Sequence, residues 1–191
     1  MVIASAVPLR RLDHDRQGSP LVQHDLFGDL ELSRPPEPVL MSLRPEYYEL
    51  IWQGRKRHEF RRRYLTGRRT TWYVYLTTPV SRLTAVIDLD EAIADTPQRI
   101  ADIAKQAQAG NGVSVYDYLR DLERGFALPI TRVREYPGCT AAELTDTLGS
   151  FHPPQGYTLI ARYPAWIAVC EEFAASGPTR QLTVHHPTTV D

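Results

Sequence analysis

Residues 39–61 read VLMSLRPEYYELIWQGRKRHEFR, and their pattern sets the fold class. Residues 39–43 form a short apolar run of strand length. Arg44 and Pro45 then open a helix, with proline in the first turn, where its missing N–H leaves no bond unmade. Tyr47, Leu50 and Ile51 recur at i, i+3 and i+4 and are expected to face the core, while Gly54 supplies a left-handed stop. Beyond that stop His58 and Phe60 fall on one face of a further strand.

Working outward, residues 70–78, TTWYVYLTT, carry the densest β-branched and aromatic signal in the chain and end at Pro79. A turn over 79–82 leads to a strand at 83–89, with Leu83, Ala85, Ile87 and Leu89 on one face. Residues 95–125 switch to helical spacing. Thr96 caps, Pro97 follows, and Ile100, Ile103, Ala104 and Ala107 form a stripe that stops at Gly110. A second helix is expected to be capped by Ser114 with Asp117, to bury Val115, Tyr118, Leu119 and Leu122, and to end at Gly125. A strand at 129–133, a helix at 140–148 opened by a Thr140/Glu143 box, a last strand at 157–161 and a closing helix at 165–173 complete the series. Strands and helices mixed without β-α-β alternation indicate an α+β domain, a small and partly open barrel with helices packed over its ends. The domain is expected over 39–175. Residues 1–38, punctuated by Pro8, Pro20, Pro35, Pro36 and Pro38, read as a disordered or extended tail, and 176–191 as a disordered end.

A chain of 191 residues suits one such domain. Lys plus Arg number 22 against 23 for Asp plus Glu, so no global charge draws the molecule to nucleic acid or membrane. The distribution is uneven. Residues 1–54 sum to −3, 55–82 to +8 and 83–191 to −6. No apolar run approaches membrane-spanning length and no secretory leader is legible, so a cytoplasmic location is expected. Cys139 and Cys170 stand alone, and CxxC, HExxH and phosphate-loop patterns are missing. Neither metal nor cofactor is expected.

The basic excess is concentrated between Gly54 and Arg69. Arg55, Lys56, Arg57, Arg61, Arg62, Arg63, Arg68 and Arg69 surround the single acid Glu59. Such density repels itself unless anions are near, and phosphates are the natural partners of arginine forks. Trp72, Tyr73 and Tyr75 on the next strand offer faces on which unpaired bases would stack. That combination favours single-stranded nucleic acid, against the plainer reading of a solvated loop beside a core strand. Lys56 follows the helix stop, where the helix dipole stabilises its charge and Arg55 and Arg57 oppose it. In a strand Glu59 and Arg61 share a face, so Glu59 either orients the site or neutralises the run. His58 reads as structural beside Phe60, Asp88 as exposed and Cys170 as a small core residue. His185 and His186 are given no role.

The spacing Gly54-x-Lys56-x-x-Glu59-x-Arg61 resembles the G-x-K-x-x-E-x-R signature of the ASCH domains, a PUA-like β-barrel family. The likeness extends to Ser42, Arg44 and Pro45 as its S-x-[KR]-P start, to residues 73–80 as its strand ending in Pro-Val, and to Pro153, Pro154, Gln155, Gly156 and Tyr157 as its P-P-Q-S-F element with two replacements. It covers roughly residues 39–163. The resemblance implies a small PUA-like barrel, with residues 95–125 as a helical insertion and a cleft for RNA or a nucleoside. Some members are ribonucleases. Others are N4-acetylcytidine amidohydrolases whose motif Lys acts with a Thr three positions later. Glu59 stands at that position here, so that arrangement is not reproduced.

The expected function is binding of single-stranded RNA or a nucleotide through Arg44, Arg55, Lys56, Arg57, Arg61, Arg63 and Tyr75. The alternative is a metal-independent ribonuclease or nucleoside hydrolase with Lys56 and Glu59 as catalytic groups. A third reading rests on the tail. Gln23, His24, Asp25, Leu26 and Phe27 resemble the bacterial sliding-clamp-binding pentapeptide, in which Leu26 and Phe27 would fill an apolar pocket beside a hydrogen-bonding Gln23. A replication accessory protein recruited to the clamp would use them.

Overall fold

The computed structural model describes residues 34–107 and 110–186. The pentapeptide at 23–27, with Gln23, Leu26 and Phe27, lies outside these residues. Along the described chain run β1 (Glu37–Leu43), α1 (Pro45–Trp52), β2 (His58–Arg61), β3 (Thr70–Leu76), β4 (Arg82–Leu89) and β5 (Ile93–Asp95). There follow α2 (Pro97–Ala107), α3 (Asn111–Leu119), β6 (Gly125–Thr140), α4 (Ala141–Leu148), β7 (Tyr157–Leu159), α5 (Pro164–Ala175) and β8 (Arg180–Thr183). The sheet runs β2-β6-β4-β3-β1-β7, with β5 and β8 also paired to β6, and curls into a half-barrel. This is the expected α+β architecture. Among the described strands only β1 and β3 are parallel, in register from Glu37 opposite Thr70 to Leu43 opposite Leu76. None of the described helices is long and apolar enough to cross a membrane.

Alternation along the strands decides which side chains fill the barrel. Val39, Met41 and Leu43 of β1, Trp72, Val74 and Leu76 of β3, and Ala85, Ile87 and Leu89 of β4 pack with Leu128, Ile130 and Val133 of β6. Helix α1 adds Tyr48 and Ile51, both 1 % exposed. The expected phase of this helix was one residue off, because Tyr47 points out and its neighbour Tyr48 points in. Two adjacent tyrosines satisfy the same helical spacing equally well from the sequence. The outer face of the sheet is covered too. Leu40, Tyr75 and Leu83 pack beneath Leu144 of α4 and Val169 and Cys170 of α5, so β3 is buried on both sides.

Helices α2 and α3 form the helical insertion, docked on β6 by a small core of Ile100, Ala104, Val115, Leu119 and Ala127. The second insertion helix begins earlier than its composition suggests. Gly110, at φ +86°, occupies its N-cap, and the Ser114 hydroxyl donates to the Asn111 carbonyl at 2.9 Å rather than capping with Asp117. Gly125 opens β6 instead of ending a helix. A Cβ there would lie 2.5 Å from Leu119 Cδ1, so glycine lets the insertion close onto the sheet.

Three strands depart from the sequence reading. The expected strand at 129–133 is the middle of a 16-residue strand, β6. Its first part pairs with β2 and β5 and its later part with β4 and β8, so no single partner or alternation spans it. β5 has only three residues. β8 lies in the stretch expected as a disordered end, and pairs Arg180–Thr183 with β6. Its charged and polar residues suit an edge strand, which needs backbone pairing more than burial. The Thr140/Glu143 capping box forms as expected.

The bend of β6 needs Gly138. Register jumps where Leu83 faces Cys139 and Ala85 faces Glu135, Thr84 Oγ1 donates to the Tyr136 carbonyl at 2.6 Å, and Gly138 sits at φ +76°. A Cβ there would lie 2.3 Å from the Leu83 carbonyl oxygen. Gly149 has a similar φ of +79° at the end of α4, with open space around it. Gly138→Ala is therefore expected to cost about 2 to 4 kcal/mol in urea unfolding, from left-handed strain plus overpacking. Gly149→Ala should cost about 1 kcal/mol from strain alone. Equal losses would refute the close-approach role of Gly138.

Candidate functional site

The basic motif is positioned by the way α1 ends. Gly54 takes φ +69°, its amide donates to the Ile51 carbonyl, and the Arg55 amide donates to Leu50, both at 2.9 Å. This 5→2 and 6→1 pair is a Schellman stop. The Lys56 amide shares the same Leu50 carbonyl, and the Arg57 carbonyl accepts from Ile130 of β6 at 2.9 Å. Residues 54–57 are thus anchored to a helix end on one side and to the sheet on the other. Lys56, Glu59 and Arg61 follow from that placement.

Glu59 is 7 % exposed, and each of its carboxylate oxygens meets one cation. Lys56 Nζ lies 2.7 Å from Oε2 and Arg61 Nη2 lies 3.1 Å from Oε1. Arg61 is held further by a 3.3 Å contact from Nη2 to Met41 Sδ and by the Trp72 ring, 5.4 Å from its Cζ. Its buried Nε has no hydrogen-bond partner. Lys56 lies over the Tyr47 ring at 5.1 Å, and Arg44 approaches the same ring at 5.6 Å. The group carries two positive charges and one negative. It presents a net cation at the wall of a cleft of about 450 Å³.

That cleft is lined by Tyr47 and Leu50 of α1, by residues 55–61, and by Ala107, Asn111, Ser114, Val115 and Tyr118 of the insertion. Arg55, Lys56, Arg57, Glu59 and Arg61 are therefore brought together. Arg44 pairs with Glu46 outside the lining, and Arg63 faces a separate shallow depression with Arg62 and Arg124. Tyr75 does not belong to the site. It is 4 % exposed and packs on Phe151, with ring centroids 5.1 Å apart. Trp72 is likewise core, donating Nε1–H to the Tyr64 hydroxyl at 2.5 Å, and Tyr73 is half-buried. The expected aromatic platform on β3 is absent because helices cover its outer face. The solvent-exposed aromatic rings in the cleft lining are Tyr47 and Tyr118, 44 % and 43 % exposed. The sequence reading placed both in the core, and only the helix phases reveal them.

Much of the basic run is neutralised within the fold. Besides Lys56 and Arg61, Arg68 pairs with Glu37 and Arg62 with Asp121 at 2.6 Å. Arg55, Arg57 and Arg63 have no carboxylate partner among the described residues, and the first two line the cleft. Asp88 is tied on the outer face by Arg132, Arg134 and Thr71, away from it. Cys170 is core, its thiol pushed up to about 12 by burial. Among the described residues no three His, Cys, Asp or Glu side chains are grouped to hold a metal.

His58 links the cleft to the C-terminal stretch. Its ring stacks on Phe60 and meets the His186 ring edge-on at 4.8 Å, while His186 Nε2 lies 2.8 Å from the Ile130 carbonyl oxygen. His186, given no role from sequence, thus ties the end of the described chain to His58 and β6. Burial, then His186 and then Arg57, lower the His58 pKa to about 4.

Comparison with known proteins adds the following. The family model of the ASCH domain matches residues 41–137, about half of the chain. The crystal structure of an ASCH protein from Zymomonas mobilis is similar, with a TM-score of 0.56 and 21 % identity over 70 % of this chain and 95 % of that one. Two variants of the same protein agree. A serine-to-alanine form has a TM-score of 0.59 and 21 % identity over 71 % and 96 % of the two chains. A tyrosine-to-phenylalanine form has 0.57 and 20 % over 70 % and 97 %. At this identity the likeness is one of fold. No curated protein matches the chain.

Two measurements check the electrostatics. Glu59→Ala leaves Lys56 and Arg61 mostly buried and unpaired, and should cost about 3 kcal/mol in urea unfolding. A loss below about 1 kcal/mol would make the group an ordinary surface pair. Because the folded-state pKa of His58 is depressed from 6.5 to about 4, its neutral form favours the fold. That contribution is complete above pH 6.5 and is lost as pH falls from there toward 4. His58→Gln should flatten the stability profile in this window, and an unchanged slope would contradict the assignment.

Proposed function

The chain belongs to the ASCH domain family, and on that premise we propose that it binds single-stranded RNA or a nucleotide through the cleft beside Lys56. One observation carries this reading. Two arginines without carboxylate partners among the described residues, Arg55 and Arg57, line the same cleft as the net-cationic Lys56–Glu59–Arg61 group and the exposed Tyr47 ring. Phosphate would neutralise the arginines, and an unpaired base would find an aromatic face. Duplex bases, stacked and paired, would not reach it.

The contact between Lys56 and Glu59 inside the cleft favours a second reading, in which the bound nucleotide is also turned over. Lys56 would donate or accept the proton, with Glu59 orienting it. Glu59 in place of the threonine that the resemblance associates with amidohydrolases points this reading toward ribonuclease chemistry.

The test is titration of a labelled single-stranded oligoribonucleotide at several salt concentrations. Binding should weaken steeply with salt, and Arg57→Ala or Lys56→Ala should each reduce affinity several-fold. The log–log salt slope should shrink by about 0.7 for each phosphate contact removed. No association of a folded sample at low ionic strength would overturn the proposal. Time-dependent RNA breakdown that Lys56→Ala abolishes would select the catalytic reading over simple binding.

A further inference from the structure

We infer that helix α3 of the insertion makes the cleft a receptor for one unpaired nucleobase, with Tyr118 as the stacking wall that reads it. The inference rests on the nucleotide-binding reading above and adds what the rest of the molecule contributes to it. One wall comes from α1 and the motif strand, with Tyr47 over Lys56. The facing residues Asn111, Ser114, Val115 and Tyr118 come from α3, far along the chain. Without the insertion the motif would border an open sheet edge, able to touch a phosphate chain but not to enclose a base.

The wall is held by an arginine of the basic run that the expected binding set leaves out. Arg62 Nη1 donates to the Tyr118 carbonyl at 2.6 Å and to Asp121 Oδ1 at 2.7 Å, and its Nη2 donates to Asp121 Oδ2 at 2.6 Å. Its Cζ also lies 5.8 Å from the Tyr118 ring centroid. One guanidinium thereby ties the end of α3 to the end of β2. Close packing fixes the other end, where a Cβ on Gly112 would lie 2.9 Å from the Ala101 carbonyl oxygen. Tyr118 thus sits on a backbone held at both ends of α3, and its ring, 43 % exposed with the Arg62 guanidinium beside it, is available for stacking.

The chemistry of the lining selects the occupant. Val115 and Phe60 supply an apolar floor, the tyrosines supply aromatic faces, and Ser114 Oγ, already donating to the Asn111 carbonyl, keeps its lone pairs for an incoming N–H. Arg55 and Arg57 stand in the same lining for a phosphate. Among the described lining residues the only carboxylate, Glu59, is taken by Lys56 and Arg61. An acidic ligand with a flat, hydrogen-bonding ring fits this set, whereas a basic or purely aliphatic one does not. The volume of about 450 Å³ falls in the range of small-molecule sites.

Calorimetric titration of the full chain with the four ribonucleoside 5′-monophosphates and with ribose 5-phosphate tests this. At least one nucleotide should bind roughly tenfold or more tightly than ribose 5-phosphate. Tyr118→Ala should remove that advantage while leaving ribose 5-phosphate affinity unchanged, and Tyr118→Phe should retain it. Thermal unfolding of both variants checks that this exposed side chain is not needed for folding. Nucleotides that bind wild type and Tyr118→Ala equally, while Arg57→Ala weakens them, would overturn the role of α3 and leave the nucleotide-binding reading intact. If neither nucleotides nor oligoribonucleotides bind, both fall.

Discussion

A carboxylate buried between two cations governs this structure. Glu59 would be unstable alone at 7 % exposure, because removing a charge from water costs several kcal/mol unless partners replace the lost hydration. Lys56 and Arg61 replace it, and doing so fixes three elements at once. Lys56 must leave α1 in the direction the Gly54 stop imposes, Arg61 must lie over Trp72 and Met41 of the barrel core, and β2 must run along the first part of β6. A charge set with one solution of this kind specifies geometry as much as it stabilises. The same set, carrying a net positive charge, lines one wall of the cleft.

That constraint changes the meaning of the basic run. Counted along the chain, eight cations against one acid suggest a polyanion site of matching length. In space, Glu37, Glu59 and Asp121 pair with four of the eight, and the ligand-directed charge shrinks to the one net positive charge of the Glu59 group and the arginines at 55 and 57. The site becomes smaller and more enclosed than a strand-binding groove, and its aromatic component moves from β3 to the facing helices α1 and α3. Arg62 shows the change in one residue. Its guanidinium, one of the eight cations of the run, secures the insertion.

β6 is the spine on which these parts meet. Its sixteen residues pair with four other strands, the partners changing from β2 and β5 to β4 and β8 near Ile130, and the irregularity at Gly138 keeps its last residues on β4. The insertion docks on its first residues, the motif strand beside them, and β8 farther along. The cleft therefore depends on a strand that contributes no side chain to its lining.

Local physics was legible in the amino-acid sequence. The Pro45 start and Gly54 stop of α1, the strand expected over 70–78 and found at Thr70–Leu76, the Thr140/Glu143 box and the shared strand face of Glu59 and Arg61 each depend on neighbours a few residues apart. The family and the α+β class followed from them. Only the tertiary structure decided which cations were already neutralised, which tyrosines faced solvent, how far β6 extended and that residues 180–183 joined the sheet. These depend on partners dozens of residues away, and a charge, a ring or an unpaired backbone edge carries no mark in sequence of what will lie against it. Tyr47 and Tyr48, identical in type and adjacent, received opposite fates for that reason.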